Sequence, residues 1–210
     1  MELLKNANQR PWWQDWSDVT ARHLQTFVSF EATARRICTY EPRHLPTLLQ
    51  TGEYARALSG ARMPEATPSE VERLVEFHQK RVQRFEGSAE KKLICVIDEL
   101  TLVRPYGDSG VMRRQIDRLI ALADNPQFVM RIAELSRPNL PVMLGSTTLF
   151  EFDDKLLPEI VYAEHFDDAS ILQEAGQVHK WIKHFDRLRQ VSLSREQSVH
   201  HLCKLREMLE

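Results

Sequence analysis

Glycine is scarce, seven in 210 residues, and those present form neither a GxGxxG nor a GxxxxGK[ST] loop. Such loops hold phosphate by presenting bare backbone N–H groups at a helix N-terminus, so nucleotide-fold readings lose their support. The GxSxG turn of serine hydrolases is missing too, as is any CxxC pair. Cysteine is limited to Cys38, Cys95 and Cys203, an odd number at wide spacing. Each lies in an apolar-periodic run, which predicts buried, reduced thiols of a cytosolic protein and not a disulfide framework. Neither charge sign dominates: 28 Lys and Arg face 30 Asp and Glu, for a net charge of −2. That balance argues against a chain whose main task is gripping nucleic acid, because phosphate binding needs a basic surface. Long apolar runs are absent as well. The strongest, "LICVI", is strand-sized, and the opening "MELLKNANQRPWWQDW" has no signal-peptide core. A cytoplasmic protein with no membrane span is the expectation.

What is present is a patterned chain of ordinary globular composition, 42% hydrophobic and 28% charged. The length suits one domain over 1–210, with a helical part at 1–60, a helix and strand core at 61–172 and a closing helical pair at 173–210. "DVTARHLQTFVSFEATARRI" places Val19, His23, Phe27, Phe30, Ala34 and Ile37 near helical spacing, which predicts a helix running on to Ile37. "TPSEVERLVEFHQKRVQRF" opens with a Thr67-x-x-Glu70 capping box and Pro68 in the first turn, and its stripe runs through Leu74, Val75, His78, Val82 and Phe85. His78 on that stripe reads as a packed core-edge side chain. "KKLICVIDELTLVRP", "QFVMRIAEL", "STTLFEF" and "EIVYAEHF" read as strands, and a Ser194-x-x-Gln197 box starts the last helix. Helices, then a strand cluster with one inserted helix, then helices predict an α+β domain whose small, mostly antiparallel sheet is packed by several helices.

Two groups of polar residues fall at predicted strand ends. Asp98 and Glu99 follow "VI", with Arg104 beyond; Tyr162, Glu164 and His165 end another strand. Tyr162 and Glu164 share one strand face because side chains alternate. Polar groups converging there line a pocket or, for a Glu beside a His, do acid–base work. The competing explanation is that they cap turns and pair with Arg104 or Arg131. Structural, ligand-binding and catalytic roles rank in that order. "HHLC" puts His200 and Cys203 on one helix face, but no second ligand pair accompanies them, so no metal site is assigned. No cofactor is implied. Trp12, Trp13 and Trp16 read as exposed-looking packing groups, and with the terminal helices they make a homodimer one further reading.

The stretch "YEPRHLPTLLQTGEYARAL" carries two prolines and a glycine, yet is too apolar for a solvent loop. With "WWQDWSDV", "FVSFEATARRICTYEP", "VIDELTLVRPYGDSGVMRRQIDRLIALADNPQFVMRI", "EIVYAEH" and "HKWIKHFDRLRQVSLSREQSV", it resembles the C-terminal domain of WhiJ-like, antitoxin-like XRE-family helix-turn-helix regulators of actinobacteria. The resemblance spans nearly the whole chain. It implies a helix-plus-sheet sensing domain of a transcriptional regulator that binds a small molecule or a small partner protein. Its lining is expected to be Asp98, Glu99, Arg104, Tyr162, Glu164 and His165, with the loop "RPNLPVML" as lid. No helix-turn-helix precedes "WWQDW", so direct DNA binding by this chain is not expected. The family's loop of the form G-x-H-x-G-x-x-G-x-F is replaced by "SRPNLPVMLGSTTLF", and Thr47 stands where the family has glycine. Those departures raise an alternative, a stand-alone group-transfer enzyme with Glu164 and His165 as acid and base. Within the opening stretch, Leu45, Leu48 and Leu49 are expected to be buried while Pro42 and Pro46 forbid continuous helix.

Overall fold

The computed structural model describes residues 10–141, 145–153, 157–166 and 168–209. Within these residues six strands form one sheet: β1 (Arg36–Glu41), β2 (Lys92–Asp98), β3 (Phe128–Ala133), β4 (Thr147–Glu151), β5 (Ile160–Glu164) and β6 (Ala169–Leu172), in spatial order β3-β2-β1-β4-β5-β6. Among the described residues seven α-helices accompany them: α1 (Arg22–Thr33), α2 (Gly52–Arg62), α3 (Pro68–Glu86), α4 (Leu100–Val103), α5 (Ser109–Ala123), α6 (Ala175–Val191) and α7 (Arg195–Glu207). The architecture is α+β, with helical segments before and after the strands.

The sheet is mixed. β1 pairs with β2, and β2 with β3, in parallel, whereas the β1–β4, β4–β5 and β5–β6 pairings are antiparallel. Parallel neighbours need a long return connection. Here α2 and α3 make the return from β1 to β2, and α4 and α5 that from β2 to β3. The helix expected to reach Ile37 stops at Thr33: the Arg35 N–H leaves the helical ladder and donates to Glu151 O at 2.9 Å, and β1 begins one residue later. A second unforeseen strand, β6, completes the antiparallel half.

Each sheet face has its own core. Ile37, Leu93, Cys95, Ile97, Met130 and Phe150 pack under α5, α7 and the proline-set crossover after β1. On the opposite face Tyr40, Val96, Leu149 and Val161 meet Val178, Trp181, Phe185 and Leu188 of α6. A third cluster packs Trp12, Trp13 and Trp16 onto Val28, Leu74 and Phe77, so the tryptophans are half-buried against this chain's own α1 and α3. In the crossover Leu45 and Leu49 are wholly buried and Leu48 nearly so. Thr47 lies in a short 3-10 turn, a backbone conformation open to any residue, so glycine is not required there. The capping boxes at Thr67 and Ser194 both form. All three cysteines are free. Among the described residues no helix is long and apolar enough to cross a membrane.

Candidate functional site

A cavity of about 350 Å³ lies between the sheet and α1, α2 and α3, within the range of roughly 300–1,000 Å³ usual for small-molecule sites. Its floor follows from strand alternation. Ile37, Thr39 and Glu41 of β1 point to one face, joined by Leu93 of β2, Thr148 of β4 and Tyr162 and Glu164 of β5. Its roof follows from helix periodicity: Leu24, Phe27 and Glu31 from α1, Leu58 and Arg62 from α2, Leu74, His78 and Arg81 from α3. The crossover supplies a wall with His44 and Gln50, and Phe166, 99% exposed, stands at the mouth.

Apolar groups from all three helices enclose the cavity, and its charges are paired. Glu31 of α1 and Arg81 of α3 form a bidentate ion pair, with Arg81 Nε at 2.9 Å from Glu31 Oε1 and the second contact at 2.8 Å. Both side chains are buried, and the guanidinium lies over the Phe27 ring at 5.3 Å. Nearer the mouth, Glu41 accepts from Arg43 N at 2.9 Å and Arg43 Nε at 3.3 Å. Glu164 accepts from Arg43 at 3.1 Å and from Arg62 at 3.4 Å. Burying a charge without such a partner would cost several kcal/mol, on the order of the effective penalty per ion in proteins.

His23, His44 and His78 line the same space, the last two as neutral rings. His44 Nδ1 lies 3.1 Å from Leu45 O, a carbonyl that can only accept, so the proton sits on Nδ1. Burial holds the His44 pKa below the usual histidine value. Burial, reinforced by the nearby Arg81 charge, pushes His78 down to about 3. His78 Nδ1 and Gln50 Oε1 are buried without hydrogen-bond partners among the described residues. Elsewhere in the lining, the Thr39 and Thr148 hydroxyls hydrogen-bond each other at 2.8 Å, and the Tyr162 hydroxyl donates to His23 O at 3.0 Å.

The strand-end residues named from sequence divide. Tyr162 and Glu164 line the cavity. Asp98 is buried elsewhere, accepting from the Tyr40 hydroxyl at 2.7 Å and from Leu100 N at 2.9 Å. Glu99 ties two elements together, taking Leu135 N at 2.7 Å and His201 Nε2 at 2.7 Å. Arg104 is exposed at the end of α4. His165 lies just past the end of β5, and its Nε2 contacts Ser170 Oγ at 2.9 Å. Glu164 and His165 are thus held by different partners and do not form an acid–base pair. In the loop expected as lid, residues 142–144 lie outside the described ones, while Leu140 packs toward α6 on the opposite sheet face.

The deep polar residues Glu31, His44, His78 and Arg81 were not singled out as a site from the sequence. A signal existed: Arg81 falls at the i+3 position from His78 and i+7 from Leu74, a cation on an apolar stripe. Among the described residues no group of three or more His, Cys, Asp and Glu side chains is arranged to hold a metal ion. Comparison with known families finds one whose description is domain of unknown function (DUF5753), matching residues 24–204 and so every cavity-lining element from α1 to β5. No curated protein and no solved structure matches the chain.

Proposed function

The chain belongs to the DUF5753 family, a domain of unknown function, and from the cavity it builds we propose that it is a ligand-sensing domain of an antitoxin-like, XRE-type transcriptional regulator. The carrying observation is the 350 Å³ cavity, with apolar side chains from three helices, charges held in ion pairs and unpartnered hydrogen-bonding atoms on His78 and Gln50. A concave space in which apolar side chains are interleaved with polar and charged ones fits a small molecule better than a partner protein. The resemblance of "YEPRHLPTLLQTGEYARAL" and the later segments supplies the regulatory setting. Sensing is the role of this domain, with no nucleic acid read by it directly. Its work is placed in the cytoplasm, a setting that suits the buried free thiols Cys38 and Cys95.

Binding to the folded state raises its stability by mass action, about 2.7 kcal/mol at a hundredfold excess over Kd. For a chain of this size that is a rise of roughly 5–10 °C in melting temperature. Thermal-shift screening against a metabolite panel is expected to find compounds that produce such a rise. Leu24→Trp, which fills the cavity from α1, is expected to remove the response while melting cooperatively. A panel that leaves the parent chain unmoved, or a response that survives Leu24→Trp, defeats the reading.

A further inference from the structure

We infer that the cavity takes an uncharged amphipathic molecule, an apolar body carrying a hydroxyl or carbonyl group, in preference to an anion or an amine. This rests on the cavity being the binding site. The selectivity comes from charge that is already committed. Arg81 is engaged by Glu31 through two hydrogen bonds, 2.8 and 2.9 Å, inside the roof. At the mouth two guanidiniums, Arg43 and Arg62, meet two carboxylates, Glu41 and Glu164. These six groups sum to zero, and His44 and His78 add nothing to them because burial keeps both rings neutral.

An anionic head group seeking Arg62 has to share it with Glu164 and makes the mouth net negative. An ammonium head group meets carboxylates already paired with guanidiniums, Glu164 through both oxygens and Glu41 through Oε1, and makes the mouth net positive. Either ion enters a partly desolvated space without a free counter-charge, which is costly. A hydroxyl or carbonyl incurs no such cost. Gln50 Nε2 donates to Leu45 O at 2.6 Å, which leaves Oε1 as the unused acceptor of that amide. A ligand hydroxyl can donate to it, and the neutral His78 ring can serve either polarity. Leu24, Phe27, Leu58 and Leu74 supply the apolar enclosure for the rest of the molecule.

Three probes that share one tail separate the alternatives: 1-decanol, decanoate and decylamine, titrated calorimetrically into the full chain near neutral pH below their aggregation limits. We expect 1-decanol to bind at least about tenfold more tightly than either ion, the ions bearing the cost of an uncompensated charge. Its binding is expected to be lost in Leu24→Trp. Equal or tighter binding of decanoate or decylamine, blocked by Leu24→Trp, overturns the inference while leaving the cavity as the site. Binding of 1-decanol that persists in Leu24→Trp, or no binding by any probe, overturns both the inference and the site.

Discussion

His78 has to stay uncharged in a wall that it shares with Arg81. Its pKa falls from the ordinary 6.5 to about 3, burial being the larger cause and the Arg81 charge the next. Below pH 6.5 the unfolded chain binds a proton on this ring that the folded chain refuses until about pH 3. The unfolded state then holds more protons, so stability falls as pH falls through that window and is unaffected above it. His44, also shifted down by burial, acts in the same direction. The expected His78 contribution is a loss of about 2 kcal/mol between pH 7 and pH 4.5. Carboxylates titrate nearby, so the test is a difference: urea unfolding of the parent and of His78→Phe at both pH values. The variant should lose about 2 kcal/mol less than the parent; identical losses would show that the ring is not held neutral by its surroundings. At this scale the sequence was a partial guide. Alternation was enough to bring Tyr162 and Glu164 into one site, but a histidine on an apolar stripe looks the same whether it faces a packed core or a cavity.

Among the elements, α1 and α3 are joined over the sheet by Glu31 and Arg81, both buried. Replacing one partner strands the other charge, so Arg81→Met is expected to destabilise by about 3–5 kcal/mol. Replacing both, as Glu31→Leu with Arg81→Met, should restore most of that, because an apolar pair of similar volume needs no desolvation. Denaturant unfolding of the two single variants and the double gives the coupling energy. If the double is as unstable as the sum of the singles, the pair does not couple the helices. How legible each element was depends on where its stop signal lies. α3 carries its own start, the Thr67 and Glu70 capping box with Pro68 in the first turn, and its apolar stripe reads cleanly. β1 carries none. No glycine or proline separates Phe30 from Cys38, and all its residues after Arg36 are buried, so no alternation distinguishes it from the helix before it. What ends α1 is pairing with Glu151, far away in sequence. The sheet's central strand, and with it the parallel half, was therefore hidden. β6 was hidden for the opposite reason: it is a four-residue edge strand with no buried residue and little hydrophobic pattern.

The whole molecule puts its two sheet faces to different uses. One face divides its area between a packed core under α5 and α7 and the cavity under α1, α2 and α3. The other is covered by α6, whose Trp181 and Phe185 stack at 4.9 Å, with the Trp181 Nε1 donating to Thr147 Oγ1 at 3.0 Å. Side chains on opposite faces of a strand share backbone but no cavity, so stability and binding should respond separately. Phe185→Ala removes a buried ring from the α6 side and is expected to cost about 3–5 kcal/mol of folding stability. Phe185 packs in the cluster of Tyr40, Leu149 and Val161, none of which lines the cavity, so a ligand found by thermal-shift screening should bind the folded variant with a Kd within about twofold of the parent's. Leu24→Trp should show the reverse, with little loss of stability and no binding. Calorimetric titration at 15 °C, with unfolding curves to confirm that both variants are folded, compares the two directly. A Kd that weakens tenfold or more in Phe185→Ala would mean that the sheet transmits packing from one face to the other, and that α6 belongs to the sensing device and does not merely support it.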